Sequence, residues 1–220
     1  MTDGKRIDTI SLHNLCPKVF RGESLPFSRI WHSDLELHRG RRYLIEAASG
    51  GGKSSLCSFI YGVRRDYDGE IKFNTTNINT FSIGKWQELR RRHLAYLPQE
   101  LLLFPELSAI DNILLKNDAT EFISLPQIEK WLAMLGIETR RDFPVRKMSV
   151  GQQQRVALIR SLCQPFDFIL LDEPVSHLDK GNNQIVARLV SEVARKNDAG
   201  IISTSVGNPL LLEGAENIRL

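Results

Sequence analysis

Two short stretches of this chain carry side chains able to hold a polyphosphate. The first is Ala47-Ala48-Ser49-Gly50-Gly51-Gly52-Lys53-Ser54-Ser55. Glycines without a β-carbon let successive backbone N–H groups converge on phosphate oxygens, and the positive end of a following helix adds to their field. Lys53 supplies a point charge, Ser54 a hydroxyl of the kind that binds magnesium, and Ser55 a second donor. The second stretch is Phe168-Ile169-Leu170-Leu171-Asp172-Glu173-Pro174. Asp172 ends an apolar strand, the edge of a parallel sheet where ligands gather, and suits a magnesium ion. Glu173 points differently and can polarise a water that attacks a terminal phosphate. Together the two stretches imply a nucleotide. The motif G-x-x-x-x-G-K-[ST] has glycine at its first position where this chain has Ala47. An alanine is accommodated there if its φ is negative, with a modest penalty in affinity.

A third stretch, Met148-Ser149-Val150-Gly151-Gln152-Gln153-Gln154-Arg155, precedes the acidic strand. Ser149 can cap the helix that carries Arg155, Leu158 and Ile159, with Gln152 reaching back, so that the helix start offers donors to an anion.

These residues need a scaffold, and the pattern provides strands separated by helices, which implies a parallel sheet. Strands are predicted at Ile7 to Leu12, Ser33 to His38 and Arg42 to Glu46, the last running into the glycines. A helix from Lys53 ends at Gly62, and Asp68-Gly69 reads as a turn into a strand over 70–73. Residues 84–93 read as a helix, Leu94 to Leu97 as a strand, and Pro98 as a boundary. From Glu100 to Lys147 strands vanish, and helical spacing appears at Ala109 to Lys116 and Gln127 to Leu135. Strand character returns at Phe168 to Leu171 and Gly200 to Thr204, around a helix with a stripe of Ile185, Leu189 and Val193.

A chain of 220 residues can bury a sizeable core, and without repeats or long linkers the pieces are expected to form one body. The net charge of +3 decides little about partners. The run Arg90-Arg91-Arg92 reads as a solvated helix face, so nucleic acid is not expected. Cys16, Cys57 and Cys163 lack paired spacing, which suits a reducing compartment. The N-terminus shows no apolar signal region, and the apolar runs near Leu101 and Phe168 are too short to span a bilayer.

The whole set, from about Ile7 to Leu220, resembles the ATP-binding cassette (ABC) transporter ATPase subunits, in particular the small lipoprotein-release and cell-division type. Met148-Ser149-Val150-Gly151-Gln152 is similar to the family signature L-S-G-G-Q, Gln99 to its Q-loop, and Ser176-His177-Leu178-Asp179 to its D-loop. The resemblance implies an α/β P-loop NTPase with a mostly parallel core sheet, an N-terminal antiparallel β subdomain and an inserted helical subdomain. One ABC ATPase domain over 1–220 is expected, with the nucleotide-binding core and β subdomain in 1–98 and 148–220 and the insertion in 99–147.

It further implies ATP and Mg2+ as ligands, with the ion held by Ser54, Gln99 and Asp172, and hydrolysis catalysed by Glu173. Ser49, Gly50, Gly51, Gly52, Lys53, Ser54 and Ser55 would cradle the phosphates. Ser149, Gly151 and Gln152 would face the terminal phosphate held by a second cassette chain, and Phe20, with Phe27 as rival, would stack on adenine. A transmembrane subunit is the implied partner, and the chain is expected in the cytoplasm at the inner face of the plasma membrane. Two departures bear on rate. Val150 replaces a signature glycine, and Ser205 stands after Thr204 where the family has its switch histidine, so slow hydrolysis is expected. His177 reads as an exposed loop residue rather than a substitute. The alternative is an ATP-binding regulatory module with negligible turnover; a soluble cassette of DNA repair or translation ranks last, because the interval from Gln99 to Ser149 carries no coiled-coil heptads.

Overall fold

The chain is seen here as a computed structural model that describes residues 6–22 and 28–220. Its elements in chain order are β1 (Thr9–Pro17), β2 (Asp34–His38), β3 (Arg42–Glu46), α1 (Lys53–Ile60), β4 (Tyr67–Phe73), β5 (Thr76–Asn77), α2 (Ile83–Arg92) and β6 (Leu94–Leu97). There follow α3 (Ala109–Asn117), α4 (Leu125–Met134), α5 (Val150–Leu162), β7 (Phe168–Asp172), α6 (Lys180–Asn197), β8 (Gly200–Ser205) and β9 (Glu216–Arg219). An antiparallel sheet has the order β2-β1-β4-β5, and a second sheet the order β6-β7-β8-β3-β9. Every pairing in the second sheet is parallel.

The parallel sheet divides the apolar interior in two. Alternation along β7 sends Ile169 and Leu171 to a core shared with α3, α4, α5 and α6, and Phe168 and Leu170 to a core shared with α1, α2 and the antiparallel sheet. β7 and β8 are buried along their whole length, as expected of central parallel strands.

Two expectations are corrected, and one strand is found that the sequence pattern does not predict. Asp68-Gly69 is not a turn before a strand but lies inside β4, because Gly69 adopts φ 89 opposite a register shift between His13 and Cys16 of β1. A β-carbon at Gly69 would fall 2.3 Å from the Asn14 carbonyl oxygen, so only glycine passes this bulge. β9 carries no recognisable strand pattern in the sequence: its burial runs exposed, exposed, buried, exposed, and it is added at the sheet edge through β3. Arg90 is not a solvated member of its run. Its guanidinium lies over the Tyr61 and Trp86 rings and donates to the Tyr61 and Gly62 carbonyls, whereas Arg91 and Arg92 are exposed.

Below the parallel sheet, Asp167 holds the chain's beginning to its core. Its carboxylate accepts from Arg6 Nε at 2.8 Å and from the Ile7 N–H at 2.8 Å, and lies 2.6 Å from His93 Nδ1. Burial alone would push the Asp167 carboxyl up, but the His93, Ile7 and Arg6 contacts together hold it below the usual carboxylate range. A lowered folded pKa means the stabilisation is complete above the carboxyl's unfolded pKa and is lost as pH falls through the folded one. Asp167→Ala is expected to cost roughly 3–5 kcal/mol at neutral pH. Urea unfolding of the two proteins should converge as the buffer is acidified, and a difference independent of pH would contradict the assignment.

All three cysteines are free and buried. Burial pushes the Cys163 thiol up to about 12, so the native chain should resist alkylation at neutral pH.

Candidate functional site

The glycine loop leaves β3 and enters α1 at the C-terminal edge of the parallel sheet. Gly52, the N-cap of α1, has φ 92, and a β-carbon on it would meet Trp31 at 2.9 Å and Phe20 at 3.2 Å. Glycine is therefore required twice over, by conformation and by two aromatic rings. Trp31 Nε1 also donates to the Gly51 carbonyl at 3.1 Å, fixing the loop from the side of the antiparallel sheet. Ala47 lies outside the left-handed region, the condition under which its methyl is accommodated. A β-carbon on Gly51 would sit 3.0 Å from that methyl, so Ala47 fits beside a glycine.

Lys53 is buried at the head of α1, where its Nζ donates to the Ala47 and Ala48 carbonyls at 3.1 and 3.0 Å. Glu173 Oε1 is 4.0 Å from the same nitrogen. Burial lowers the Lys53 ammonium below the ordinary lysine value, against the opposing pull of Glu173 and Asp172. Ser54 Oγ donates to Gln99 Oε1 at 3.3 Å, which brings the residue after the lysine together with the second residue beyond β6. Ser55 Oγ accepts from Arg64 at 2.9 Å.

Asp172 ends β7 and is buried. Its Oδ1 accepts from Thr204 Oγ1 at 2.6 Å, while its Oδ2 is buried with no hydrogen-bond partner. Thr204 Oγ1 also accepts from the Glu173 N–H at 3.2 Å. Glu173 has φ 52, so the chain turns left-handed directly after the strand. A cleft of about 230 Å3 is lined by Ser49, Gly50, Gly52, Lys53, Ser54, Ser55, Gln99 and Glu173.

Asp172 does not itself line the cleft, but its orphaned buried carboxylate oxygen, the Ser54 hydroxyl and the Gln99 carbonyl are together hard oxygen donors of the kind that fits magnesium. Among the described residues no group of three or more His, Cys, Asp or Glu side chains could hold a metal by itself.

Ser149, Gly151 and Gln152 do not line this cleft. Ser149 caps α5: its Oγ accepts from the Gln152 N–H at 3.3 Å, and Gln152 Oε1 accepts from the Ser149 N–H at 3.0 Å, a complete capping box. Val150 is exposed, and a β-carbon on Gly151 would lie 3.2 Å from the His177 carbonyl oxygen, so the loop after β7 packs directly on the start of α5. His177 is itself exposed. Ser205 is buried at the end of β8, its Oγ unpartnered, and does not line the cleft. Phe20 is partly buried at the loop's aromatic side, and its rival Phe27 lies outside the described residues.

Sequence reasoning missed four residues that build this site. Thr204 joins Asp172 to Glu173, and Trp31 shapes the glycine loop. Gln154 is buried in α5 and donates to the Glu173 carbonyl at 3.0 Å while its Oε1 accepts from the His177 N–H at 3.3 Å. Arg160, also on α5, donates to the carbonyls of Leu101 and Leu102 just after Gln99. Both leucines hold left-handed backbone, φ 59 and 47, at a cost of about 1–2 kcal/mol each. The one available signal was the polar Gln154 at a position of α5 that faces the core.

The loop, the acidic strand end and the parallel order define a P-loop nucleotide-binding protein with the ABC ATPase architecture. The chain belongs to the ABC transporter family, whose family model matches residues 31–176. A lipoprotein-releasing system ATP-binding protein, LolD, of Syntrophotalea carbinolica is 28% identical over 187 residues, covering 84% of this chain and 82% of that protein. The macrolide export ATP-binding/permease protein MacB of Bartonella quintana is 31% identical over 202 residues, 90% of this chain but 30% of MacB. The dimeric ABC transporter cassette MJ0796 shares the fold with a TM-score of 0.76 at 23% identity, over 89% of this chain and 87% of that one.

Proposed function

We propose that this chain is the ATP-hydrolysing subunit of a membrane transport complex, working as a pair of cassettes that close on ATP. The observation that carries the reading is a single cleft in which Lys53, Ser54, Gln99 and Glu173 converge, with Asp172, which keeps a buried, unpartnered oxygen, directly before Glu173 in the chain. In this reading the N–H groups of residues 49–55 and the Lys53 ammonium hold the β- and γ-phosphates. A magnesium ion, held by Ser54, Gln99 and Asp172, would neutralise developing charge on the transferred phosphoryl oxygens. Thr204 keeps the Asp172 carboxylate turned so that its second oxygen stays available. Glu173, which lines the cleft, takes the proton of the attacking water.

Ser149 and the Gly151 N–H stand apart from this cleft because they serve the phosphate bound to the other cassette; Gln152 acts through its bond to Ser149. Phe20, beside Gly52, stacks on adenine. Ser205 is too short and too buried to replace a histidine at the phosphate, so turnover of the isolated chain is slow. Among the described residues no helix is long and apolar enough to cross a membrane. The subunit sits at the inner face of the plasma membrane through a transmembrane partner; in support, LolD is named the ATP-binding protein of a lipoprotein-releasing system and MacB joins an ATP-binding part to a permease. Calorimetry should give a heat of binding with ATP in magnesium buffer that weakens when the metal is chelated. No heat with ATP or ADP in folded protein would overturn the reading, and pull-down from solubilised membranes should recover the transmembrane subunit.

A further inference from the structure

We infer that Arg160 is a positioning residue for Gln99, making the magnesium side of the cleft answer to the position of α5. Its guanidinium reaches from the last turn of α5 to the loop after β6, where Nη1 donates to the Leu102 carbonyl at 2.8 Å and Nη2 to the Leu101 carbonyl at 2.5 Å. The other backbone hydrogen bonds of these two leucines, among the described residues, are local: Leu101 N–H to Pro98 and Leu102 N–H to Glu100. Two consecutive leucines in left-handed backbone form a strained loop that needs an outside hold. A planar fork meeting two carbonyls supplies one, and a lysine ammonium cannot copy its geometry.

Gln99 stands at the near end of this loop, bonded to Ser54. At the other end of the connection, α5 begins with the Ser149–Gln152 capping box. Arg155, from the same helix, donates to the Leu135 carbonyl at 2.8 Å and so fixes α5 to the residue that closes α4. Between the capped helix start and Gln99 there is therefore one rigid helix, one guanidinium fork and a strained loop with little slack. A shift of α5 when its start engages an anion is delivered to the oxygen of Gln99. This inference rests on the reading of Gln99 as a magnesium-side ligand and of the α5 start as an anion contact.

The test measures single-turnover hydrolysis of bound ATP against free Mg2+ for the full chain and its Arg160→Lys, Arg160→Gln, Gln99→Ala and Arg160→Lys/Gln99→Ala variants. ATP affinity without metal and cooperative melting are measured on each. Arg160→Lys is expected to raise the half-saturating Mg2+ concentration about tenfold, with metal-free ATP affinity within about twofold because the phosphate loop is untouched. In the Gln99→Ala background the same substitution should change nothing further, since a residue acting through another is silent once that other is gone. Effects that multiply in the double variant, or a lowered melting temperature with unchanged Mg2+ dependence, would overturn the inference and leave Arg160 a simple brace. Loss of cooperative folding in both Arg160 variants would overturn it too. Failure of the unaltered chain to bind ATP would instead remove the nucleotide reading beneath it.

Discussion

Glu173→Gln is expected to slow single-turnover hydrolysis by roughly 10²–10⁴-fold, the range that a positioned general base supplies. This corresponds to about 3–5 kcal/mol in the barrier. The amide keeps the shape of the side chain and leaves the Glu173 N–H to Thr204 and the Gln154 bond to the Glu173 carbonyl, both made by backbone, in place. ATP should therefore bind as well as before and persist, and gel filtration at saturating MgATP should show a stable dimer. A variant that hydrolyses ATP at the original rate would remove Glu173 from its role, and one that stays monomeric with ATP bound would count against paired cassettes.

Lys53→Met should weaken ATP binding by about 10–100-fold or more, because each lost charge-assisted hydrogen bond is worth roughly 1.5–3 kcal/mol. The methionine also leaves the Ala47 and Ala48 carbonyls without the donor they have now. A pH dependence follows. Burial holds the Lys53 ammonium below the ordinary lysine value, and phosphate prefers the charged form. Affinity is thus full below this lowered pKa and declines as pH rises through it, sooner than an ordinary lysine would allow. Calorimetry across alkaline pH should show the decline in the unaltered chain and a flat, weak response in Lys53→Met; parallel declines in both would place the titrating group elsewhere.

What could be read in advance was what is local. The glycine loop, the strand ending in Asp172 and the Ser149–Gln152 capping box each fit within a few consecutive residues, and the structure forms the capping box as anticipated. The strands β3 and β6 and the start of α1 also follow from short-range pattern. What escaped arises where distant segments meet. Thr204 carries no signal of its own in sequence, yet its hydroxyl joins the Asp172 carboxylate to the Glu173 backbone N–H at the end of the neighbouring strand. Trp31 is far from the glycine loop in sequence, and Arg160 appears as one more basic residue on a polar helix until its loop partners are in view. Asp-Gly marks turns in sequence, and only the facing backbone of Asn14 explains the glycine inside β4.

The sheet that parts the interior into two cores has a consequence for how such a chain can diversify. The wall behind the glycine loop and the wall behind α3 and α4 share no buried side chains, only opposite faces of the same strands. Replacements on the exposed faces of α3 and α4 that leave the Arg155 and Arg160 bonds of α5 in place can reshape that surface without touching the wall behind the glycine loop. A lineage built on this plan is free to change what it plugs into without relearning how to burn its fuel.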